Sequence, residues 1–255
     1  MKKILVGVFF IGMVSNIFAS CDYNFDATTS DYSQIPFVQP FPSVNGQSGS
    51  ATVQFPISKM YMQMSHKLAQ TQITKQFNAN SGVSVPSNGT FVVESKINNI
   101  APLATSGILN QGNTIYGYSG SSSFMLGYTI INMMGNQPVL SVSSNPTALG
   151  GLESNHLQIP LNLPLSANYR IGFYFNQNSG QVGIIVNGVN YGYLNGFSFQ
   201  PITSINIAHM VNMHFTSNSN DPVIGTTLDE TINTDASQIT QNYPTGAKDI
   251  CGNLI

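Results

Sequence analysis

The sequence predicts an all-β protein, folded as an antiparallel sandwich of two sheets. Three observations lead to this prediction. Apolar residues alternate with other residue types within residues 169–194, which is the periodicity of β-strands. Short apolar or alternating runs, separated by Asn, Gly and Pro, recur through most of the chain. The chain of 255 residues is also long enough to form one large sandwich with its own core.

Residues 169–194 predict two consecutive β-hairpins. The apolar positions of the first two strands are Ile171, Phe173 and Phe175, then Val182, Ile184 and Val186. Between these strands lies "NQNSG" (176–180), whose Asn, Ser and Gly residues are typical of tight turns. Asn187-Gly188 then marks a second turn, which leads into a short aromatic strand.

This succession of a Gly-containing strand, a polar turn, an apolar strand, "NG" and an aromatic strand resembles the core of SPRY domains. More widely, it resembles the concanavalin A-like lectin/glucanase superfamily of two-sheet sandwiches. The resemblance is confined to this part of the chain. It implies a jelly-roll sandwich, and it says little about the ligand.

Residues 59–78 leave two interpretations open. They contain neither Gly nor Pro, and Met60, Met64 and Leu68 follow one another at a spacing of four, which favours a short surface helix. The segment "MYMQM" (60–64) also alternates as a strand would. In either case the methionines are expected to serve packing rather than a cofactor.

The remaining runs predict the other strands of the sandwich. The apolar or alternating runs are 90–97, 122–131, 138–144 and 201–215. Residues 156–165 contain two prolines, which suit an edge strand or an extended crossover. From residue 216 to residue 255 the apolar density falls, and we expect a polar C-terminal segment that wraps the body of the domain.

The N-terminus predicts a signal peptide at residues 1–19, followed by a single domain at 20–255. Lys2-Lys3 supply the positive region, residues 4–14 the apolar region, and Ala19 the small residue before cleavage. No second stretch approaches the roughly 20 apolar residues that a transmembrane helix needs. The layout also resembles exported Gram-negative proteins of unknown function. We therefore expect a periplasmic, outer-membrane-associated or secreted bacterial protein.

Two cysteines remain, Cys21 at the predicted mature N-terminus and Cys251 near the C-terminus. In an oxidising compartment such a pair predicts a disulfide that joins the two ends of the domain. The alternative is a lipoprotein, because "IFASC" (17–21) resembles a permissive lipobox. Lipidation would use Cys21 and leave Cys251 as an unpaired thiol.

The composition disfavours charged partners. Charged residues make up 7% of the chain, against about 25% in ordinary globular proteins. Without residues 1–19 the chain carries six basic and ten acidic side chains, a net charge of −4 with neutral histidines. Nucleic acids bind clustered Lys and Arg, so a nucleic-acid partner is not expected.

No catalytic pattern stands out, and we expect a protein that is not an enzyme. Glycosidases place two carboxylates across the scissile bond, but Glu94 and Glu153 stand alone here. The neighbours Asp229 and Glu230 would face opposite sides of a strand. Ser119 in "GYSGS" lacks the spacing of a nucleophile elbow.

Metal and cofactor sites are not expected either. His209 and His214 are five residues apart, which places them on opposite faces of a strand. Asp22, Asn24 and Asp26 alternate, but the stretch lacks the Gly and Glu of a calcium loop. Its acidic side chains are therefore interpreted as a solvated face.

Recognition of a ligand by hydrogen bonds and aromatic rings is the remaining hypothesis. The predicted ligand-binding residues lie in two Asn/Tyr-rich loops and are Tyr116, Tyr118, Asn187, Asn190, Tyr191 and Tyr193. Such groups suit a neutral glycan or a protein surface better than an anionic polymer. The sequence thus predicts a non-catalytic, lectin-like binding protein. The alternative is a structural envelope protein or lipoprotein with no small ligand.

Overall fold

The fold is a sandwich of two β-sheets that enclose an apolar core. A computed structural model describes residues 21–133, 135–145, 154–162 and 168–255. The strands are β1 (Val38–Pro40), β2 (Ser43–Asn45), β3 (Ser48–Thr52), β4 (Ile57–Met64), β5 (Val83–Ser84), β6 (Thr90–Asn99), β7 (Ile108–Ser119), β8 (Ser122–Met133), β9 (Val139–Asn145), β10 (Ser154–Pro160), β11 (Tyr169–Asn176), β12 (Gln181–Val186), β13 (Val189–Tyr193), β14 (Ser204–Phe215) and β15 (Thr227–Asn233). The helices are α1 (Thr29–Tyr32), α2 (His66–Thr74) and a 3₁₀ turn, Ala79–Ser81.

Across the described ranges the strands divide into two sheets. Sheet A has the order β1-β4-β14-β7-β8-β9-β10, with β5 paired to β14. Sheet B has the order β13-β12-β11-β6-β15-β3-β2. Adjacent strands are antiparallel except for β1 and β4, which are parallel. The predicted all-β, antiparallel two-sheet sandwich is therefore confirmed.

The predicted hairpins form β11, β12 and β13, at one edge of sheet B. Phe173 pairs with Ile184, and both side chains point into the core, where they are almost completely buried. Tyr174 lies on the opposite face, and its ring covers Gly183, which leaves no room for a Cβ there. The other predicted strands correspond to β6, β8, β9 and β14. The first part of the proline-containing run belongs to β10, at an edge of sheet A, and its residues 163–165 lie outside the described residues.

Residues 57–78 contain both of the structures that the sequence left open. The alternating run forms β4, which ends at Met64, and α2 follows it. Ser65 caps α2, because its side chain accepts a hydrogen bond from the Leu68 amide at 3.1 Å. Leu68 is fully buried, and Lys75 ends the helix in a left-handed conformation. Ser65 thus separates the strand, with its period of two, from the helix that follows.

The C-terminal part departs from the predicted polar segment 216–255. Residues 227–233 form β15, which lies inside sheet B between β6 and β3. Leu228 and Ile232 from this strand are buried in the core. The segment that follows, residues 234–255, lies over the outer face of sheet B and contacts β6, β11 and β12 through Ile239, Tyr243 and Ala247. The low apolar density concealed a strand because apolar residues occupy only alternate positions of it.

A disulfide joins Cys21 to Cys251, with their Cα atoms 5.9 Å apart. The predicted disulfide is confirmed. Hydrogen bonds reinforce the same junction: the Thr234 hydroxyl donates to the Cys21 carbonyl at 2.7 Å, and Asp235 accepts from the Cys21 amide at 2.7 Å. Cys21 has no free thiol for an acyl chain in this arrangement.

A polar layer crosses the interior of the sandwich. Glu230 from sheet B is fully buried, and its carboxylate accepts a hydrogen bond from the Tyr128 hydroxyl of sheet A. Nε2 of His209 lies 2.9 Å from the same carboxylate, and the His209 ring stacks on Phe41. This layer lies between two apolar clusters of the core. His209 and His214 face opposite sides of β14, as their spacing predicts, since His209 is buried and His214 is exposed.

Among the described residues, no helix has the length and apolar character needed to cross a bilayer. The predicted signal peptide at 1–19 lies outside the described residues. Export from the cell therefore stays a prediction.

Candidate ligand-binding site

Tyr116 and Tyr118 belong to β7, so the prediction that they lie in a binding loop is wrong. Tyr118 is fully buried, and its hydroxyl accepts a hydrogen bond from Nδ2 of Asn206 at 3.2 Å. Burial also raises the pKa of Tyr118 above its ordinary value. Tyr118 therefore serves packing and presents no face to a ligand.

Tyr116 is covered by α2 and the chain that follows it. Its ring lies 6.3 Å from that of Phe77, and its hydroxyl accepts a hydrogen bond from Nε2 of Gln72 at 3.2 Å. Burial raises the pKa of Tyr116 to about 12. The Gly and Ser residues near these tyrosines suggested a loop, but the turn between β7 and β8 contains only Gly120 and Ser121.

The second predicted loop is the β12–β13 hairpin, and it is exposed. Asn187 and Gly188 form its turn with φ values of +48° and +81°. Tyr191 is 43% exposed and Tyr193 is 39% exposed. We call Asn190, Tyr191 and Tyr193 the hairpin surface. Whether these residues and Asn187 bind a ligand stays a prediction.

Several polar groups of the hairpin already form hydrogen bonds within the protein. Oδ1 of Asn190 accepts a hydrogen bond from the Tyr174 hydroxyl at 3.1 Å. The Tyr193 hydroxyl accepts one from Nδ2 of Asn176 at 3.0 Å, and its ring lies 5.5 Å from that of Tyr174. Oδ1 of Asn187 accepts from the Arg170 amide at 2.8 Å. These contacts fix the hairpin against β11.

A second surface is a groove on the outer face of sheet A, and Tyr116 is the one residue of its lining that the sequence predicted to bind a ligand. We call it the sheet A groove. Its volume is about 350 Å³, and it is lined by Thr114, Tyr116, Met125, Gly127, Tyr128, Thr129, Ser143, Ser144, Asn145 and Met210. Register brings these residues together: Gly127 of β8 lies between Thr114 of β7 and Ser143 of β9. Gly127, which has no side chain, lies between two residues with small side chains, and these three residues form the floor of the groove.

The sheet A groove is chemically suited to a neutral polar ligand. Every lining side chain is uncharged, and hydroxyl, amide and thioether groups are mixed. The hydroxyls of Thr114 and Thr129 have no hydrogen-bond partner within the described part of the chain, and each can both donate and accept. Tyr116 and the methionines supply apolar flanks. The groove can therefore hold a hydroxylated ligand through hydrogen bonds and contact with CH groups.

The sequence contained only an indirect signal for this groove. Met125, Gly127 and Thr129 alternate with buried residues, so their common outward face follows from the period of a strand. Nothing in that period identifies Thr114 or Ser143 as the neighbours of Gly127, because these lie on other strands.

Four buried ionisable groups lie inside the protein. Glu230, His209 and Tyr128 lie between the sheets, and Glu94 is fully buried beneath residues 234–255. Glu94 accepts hydrogen bonds from the Tyr243 hydroxyl at 2.8 Å and from residues 240 and 241. These contacts tie the C-terminal segment to sheet B.

One Ser–His hydrogen bond lies beside a cavity of about 290 Å³ at an end of the sandwich. Oγ of Ser144 lies 2.7 Å from Nε2 of His156, and Nδ1 of His156 lies 2.8 Å from the carbonyl oxygen of Asn195. Because a carbonyl only accepts, Nδ1 donates to it, and Nε2 of the neutral ring accepts from Ser144. In Ser-His-Asp hydrolases a carboxylate takes the place of that carbonyl. The absence of catalysis stays a prediction.

Asn24, Asp26 and the two cysteines, which the sequence analysis considered, make contacts within the protein. Asp26 Oδ1 accepts a hydrogen bond from the His66 amide at 2.7 Å, at the start of α2, and Asn24 donates to its other oxygen at 3.1 Å. Cys21, Cys251 and Asp249 cluster closely enough to hold a metal ion. The two sulfurs are bonded to each other, so they are not thiolate ligands.

Solved structures similar to this chain are also β-proteins. The legume lectin-like domain from Entamoeba histolytica has a TM-score of 0.46 and 12% identity, over 76% of this chain and 86% of that domain. The CBM2 module of the Lactobacillus casei BL23 phage J-1 evolved Dit has a TM-score of 0.45 and 13% identity, over 84% and 90%. Alginate lyase A1-II′, of polysaccharide lyase family-7, has a TM-score of 0.40 and 11% identity, over 72% and 75%. At this level the likeness carries no information about ligand or activity.

Comparison of sequences gives a family rather than an activity. No curated protein matches the chain. A family match extends from residue 10 to residue 253, and it therefore includes both sheets and the two cysteines of the disulfide. The chain belongs to the family described as Domain of unknown function (DUF4882).

Proposed function

We propose that this protein is an exported, non-catalytic binding protein that holds a neutral glycan in the sheet A groove. The observation that carries the proposal is the uncharged lining of the groove, in which hydroxyl and amide groups occur together with Tyr116 and two methionines. Sugars offer the same combination of hydroxyl groups and CH faces. Sites for small ligands commonly join a few polar groups to such apolar walls.

The composition supports the same ligand class. With 7% charged residues, the surface offers few charges to attract an ionic polymer. The groove also lies on strands rather than on loops, so its hydroxyl groups are held by the register of sheet A. Fixed groups lose little conformational entropy when a ligand binds.

A glycan array with the wild-type protein, followed by calorimetric titration of the best ligand, tests the proposal. Thr114→Val and Thr129→Val each remove one hydroxyl and keep the shape of the side chain. Each should weaken binding by about 0.5–1.5 kcal/mol, the usual contribution of one neutral hydrogen bond. Thr52→Val is the matched control, because Thr52 is exposed on sheet B and bonds to Thr227. An equal effect of all three substitutions would contradict binding in the groove.

The hairpin surface is the second candidate for glycan binding. Its exposed rings, Tyr191 and Tyr193, favour it, because a sugar face can stack on an accessible aromatic ring. Tyr191→Ala and Tyr193→Ala should weaken binding by about 1–2 kcal/mol if this surface holds the glycan. Loss of affinity with these two variants, together with no effect of Thr114→Val, assigns the site to the hairpin.

The alternative belongs to another class: a structural protein of the cell envelope with no small ligand. It predicts that the wild-type protein retains nothing on the array. It also predicts that the threonine and tyrosine variants alter no measured property except stability. Export is common to both hypotheses, and N-terminal sequencing of the mature protein tests it, with Ser20 as the expected first residue.

A further inference from the structure

Two of the few cations of this chain lie directly opposite each other. Outside residues 1–19, the basic residues are Lys59, Lys67, Lys75, Lys96, Arg170 and Lys248. Lys96 of β6 and Arg170 of β11 are register partners in sheet B. Like charges that face each other across an antiparallel pair destabilise a sheet. The stability of the sheet therefore does not explain why Lys96 and Arg170 face each other.

Neither side chain forms an ion pair with an acid in the part of the chain that the structure describes. Nη1 of Arg170 donates to Oγ1 of Thr240 at 3.0 Å, and the Thr240 hydroxyl donates to Glu94 at 2.9 Å. Glu94 is fully buried and already accepts from the C-terminal segment. This chain of bonds holds the guanidinium in place, while most of its N–H donors have no partner within the described residues.

The two cations lie in an open cleft on the outer face of sheet B, which we call the sheet B cleft. Its volume is about 760 Å³, and it is lined by Lys96, Asn98, Asn168, Arg170, Asn187, Thr231, Asn233, Gln238 and Thr240. The lining contains no carboxylate. Asp229, near its rim, accepts a hydrogen bond from Nδ2 of Asn98 at 2.7 Å. Amide and hydroxyl groups thus surround two positive charges.

We propose that the sheet B cleft binds an acidic sugar through its oxyanion, a uronate carboxylate or a sulfate ester. Arg170 presents a planar set of donors that matches two oxygens of an oxyanion, and Lys96 adds a point charge beside it. The amides and hydroxyls of the lining match the hydroxyl groups of the sugar. An anion between the two cations also removes the repulsion that the register imposes.

This inference goes beyond the proposed function, and it does not depend on it. The sheet A groove is uncharged and lies on the other sheet. The low overall charge argued against anionic partners at the level of composition. The structure concentrates two of six cations at one point, which composition does not show.

Calorimetric titration of the full mature chain with three defined oligosaccharides tests the inference. The probes are an oligogalacturonate, the same oligomer with its carboxyl groups methyl-esterified, and a sulfated oligosaccharide. We expect the uronate or the sulfate to bind and the methyl ester to bind at least tenfold more weakly. Binding should weaken as salt is added, because the contact is between charges. The uronate and sulfate titrations identify which oxyanion the cleft prefers.

Lys96→Gln and Arg170→Gln should each weaken binding of the acidic sugar by about tenfold or more, the usual effect of losing a charge-assisted hydrogen bond. Lys59→Gln is the matched control, since it removes one exposed positive charge from sheet A. Lys96→Gln should also keep or raise the melting temperature, because it relieves the repulsion. If that variant loses binding while its melting temperature is kept, unfolding is not the cause of the loss.

Three results would overturn the inference. These are failure of both acidic probes to bind, equal binding of the methyl ester, and an equal loss of affinity in Lys59→Gln. Thr129→Val should leave binding of the acidic probe unchanged, and Arg170→Gln should leave binding of a neutral glycan unchanged. The two proposals therefore fail separately.

Discussion

The disulfide between Cys21 and Cys251 should carry a large share of the stability of this protein. It closes a loop with a sequence separation of 230, for which the chain-entropy relation gives about 5.5 kcal/mol at 25 °C. The termini are also held by hydrogen bonds between residue 21 and residues 234 and 235. Those bonds remain when the disulfide is removed, and measured losses for native disulfides are about 2–5 kcal/mol. We expect the Cys21→Ala/Cys251→Ala variant to lose stability within that range.

Urea unfolding of the wild type and the double variant, each with and without reductant, measures this loss. A loss of about 4 kcal/mol would lower the urea midpoint by roughly 1.3–2 M, given an unfolding slope of about 2–3 kcal/mol/M. Reductant should shift the wild type to the midpoint of the variant and leave the variant unchanged. This comparison separates the bond from any effect of replacing the buried side chain of Cys21.

Hydrogen exchange should show where the structure loosens. The Lys248 amide donates to the Thr90 carbonyl at 2.9 Å, and the Val92 amide donates to the Lys248 carbonyl at 2.9 Å. These bonds join the C-terminal segment to β6, so both amides should exchange faster in the variant. Identical urea midpoints for oxidised and reduced wild type, with unchanged protection of these two amides, would refute the reasoning.

The remaining predictions concern packing, pH and catalysis. Tyr118→Ala should lower the free energy of unfolding by about 3–5 kcal/mol, because Tyr118 is fully buried. Tyr191→Ala should change the free energy of unfolding by less than about 0.5 kcal/mol. Equal urea midpoints for the two variants would contradict this difference. Asp31 raises the pKa of His66 above 6.5 by a hydrogen bond and by its charge. The contribution of this pair to the free energy of unfolding is therefore complete below pH 6.5 and is lost as the pH rises through the raised pKa. NMR titration should find the pKa of His66 closer to 6.5 in Asp31→Asn, and an unchanged value would show that Asp31 is not the cause. A fluorophosphonate probe should leave Ser144 unmodified, because Nδ1 of His156 donates to the Asn195 carbonyl and not to a carboxylate. A mass adduct on Ser144 would contradict the proposal of a non-catalytic protein.

The sequence alone determined the features that depend on neighbouring residues. Alternation and turn residues in 169–194 gave β11–β13, since the period of a strand and the φ values of a turn are local properties. The sequence also predicted the disulfide, although its cysteines are far apart along the chain, because two thiols allow only one intramolecular pairing. Residues 57–74 mark the limit of this approach, because strand and helix periodicities meet there at the cap Ser65.

Only the tertiary structure decided which residues meet in the sheet A groove and in the sheet B cleft. Tyr116 and Tyr118 have the composition of a binding loop, yet both lie on the outer face of sheet A, where α2 and neighbouring residues cover them. Lys96 and Arg170 are far apart in sequence and become direct neighbours through the pairing of β6 with β11. The floor of the sheet A groove likewise depends on the register of β7, β8 and β9. Register between distant strands is set by the whole core, because one residue of slip moves every side chain to the other face of the sheet.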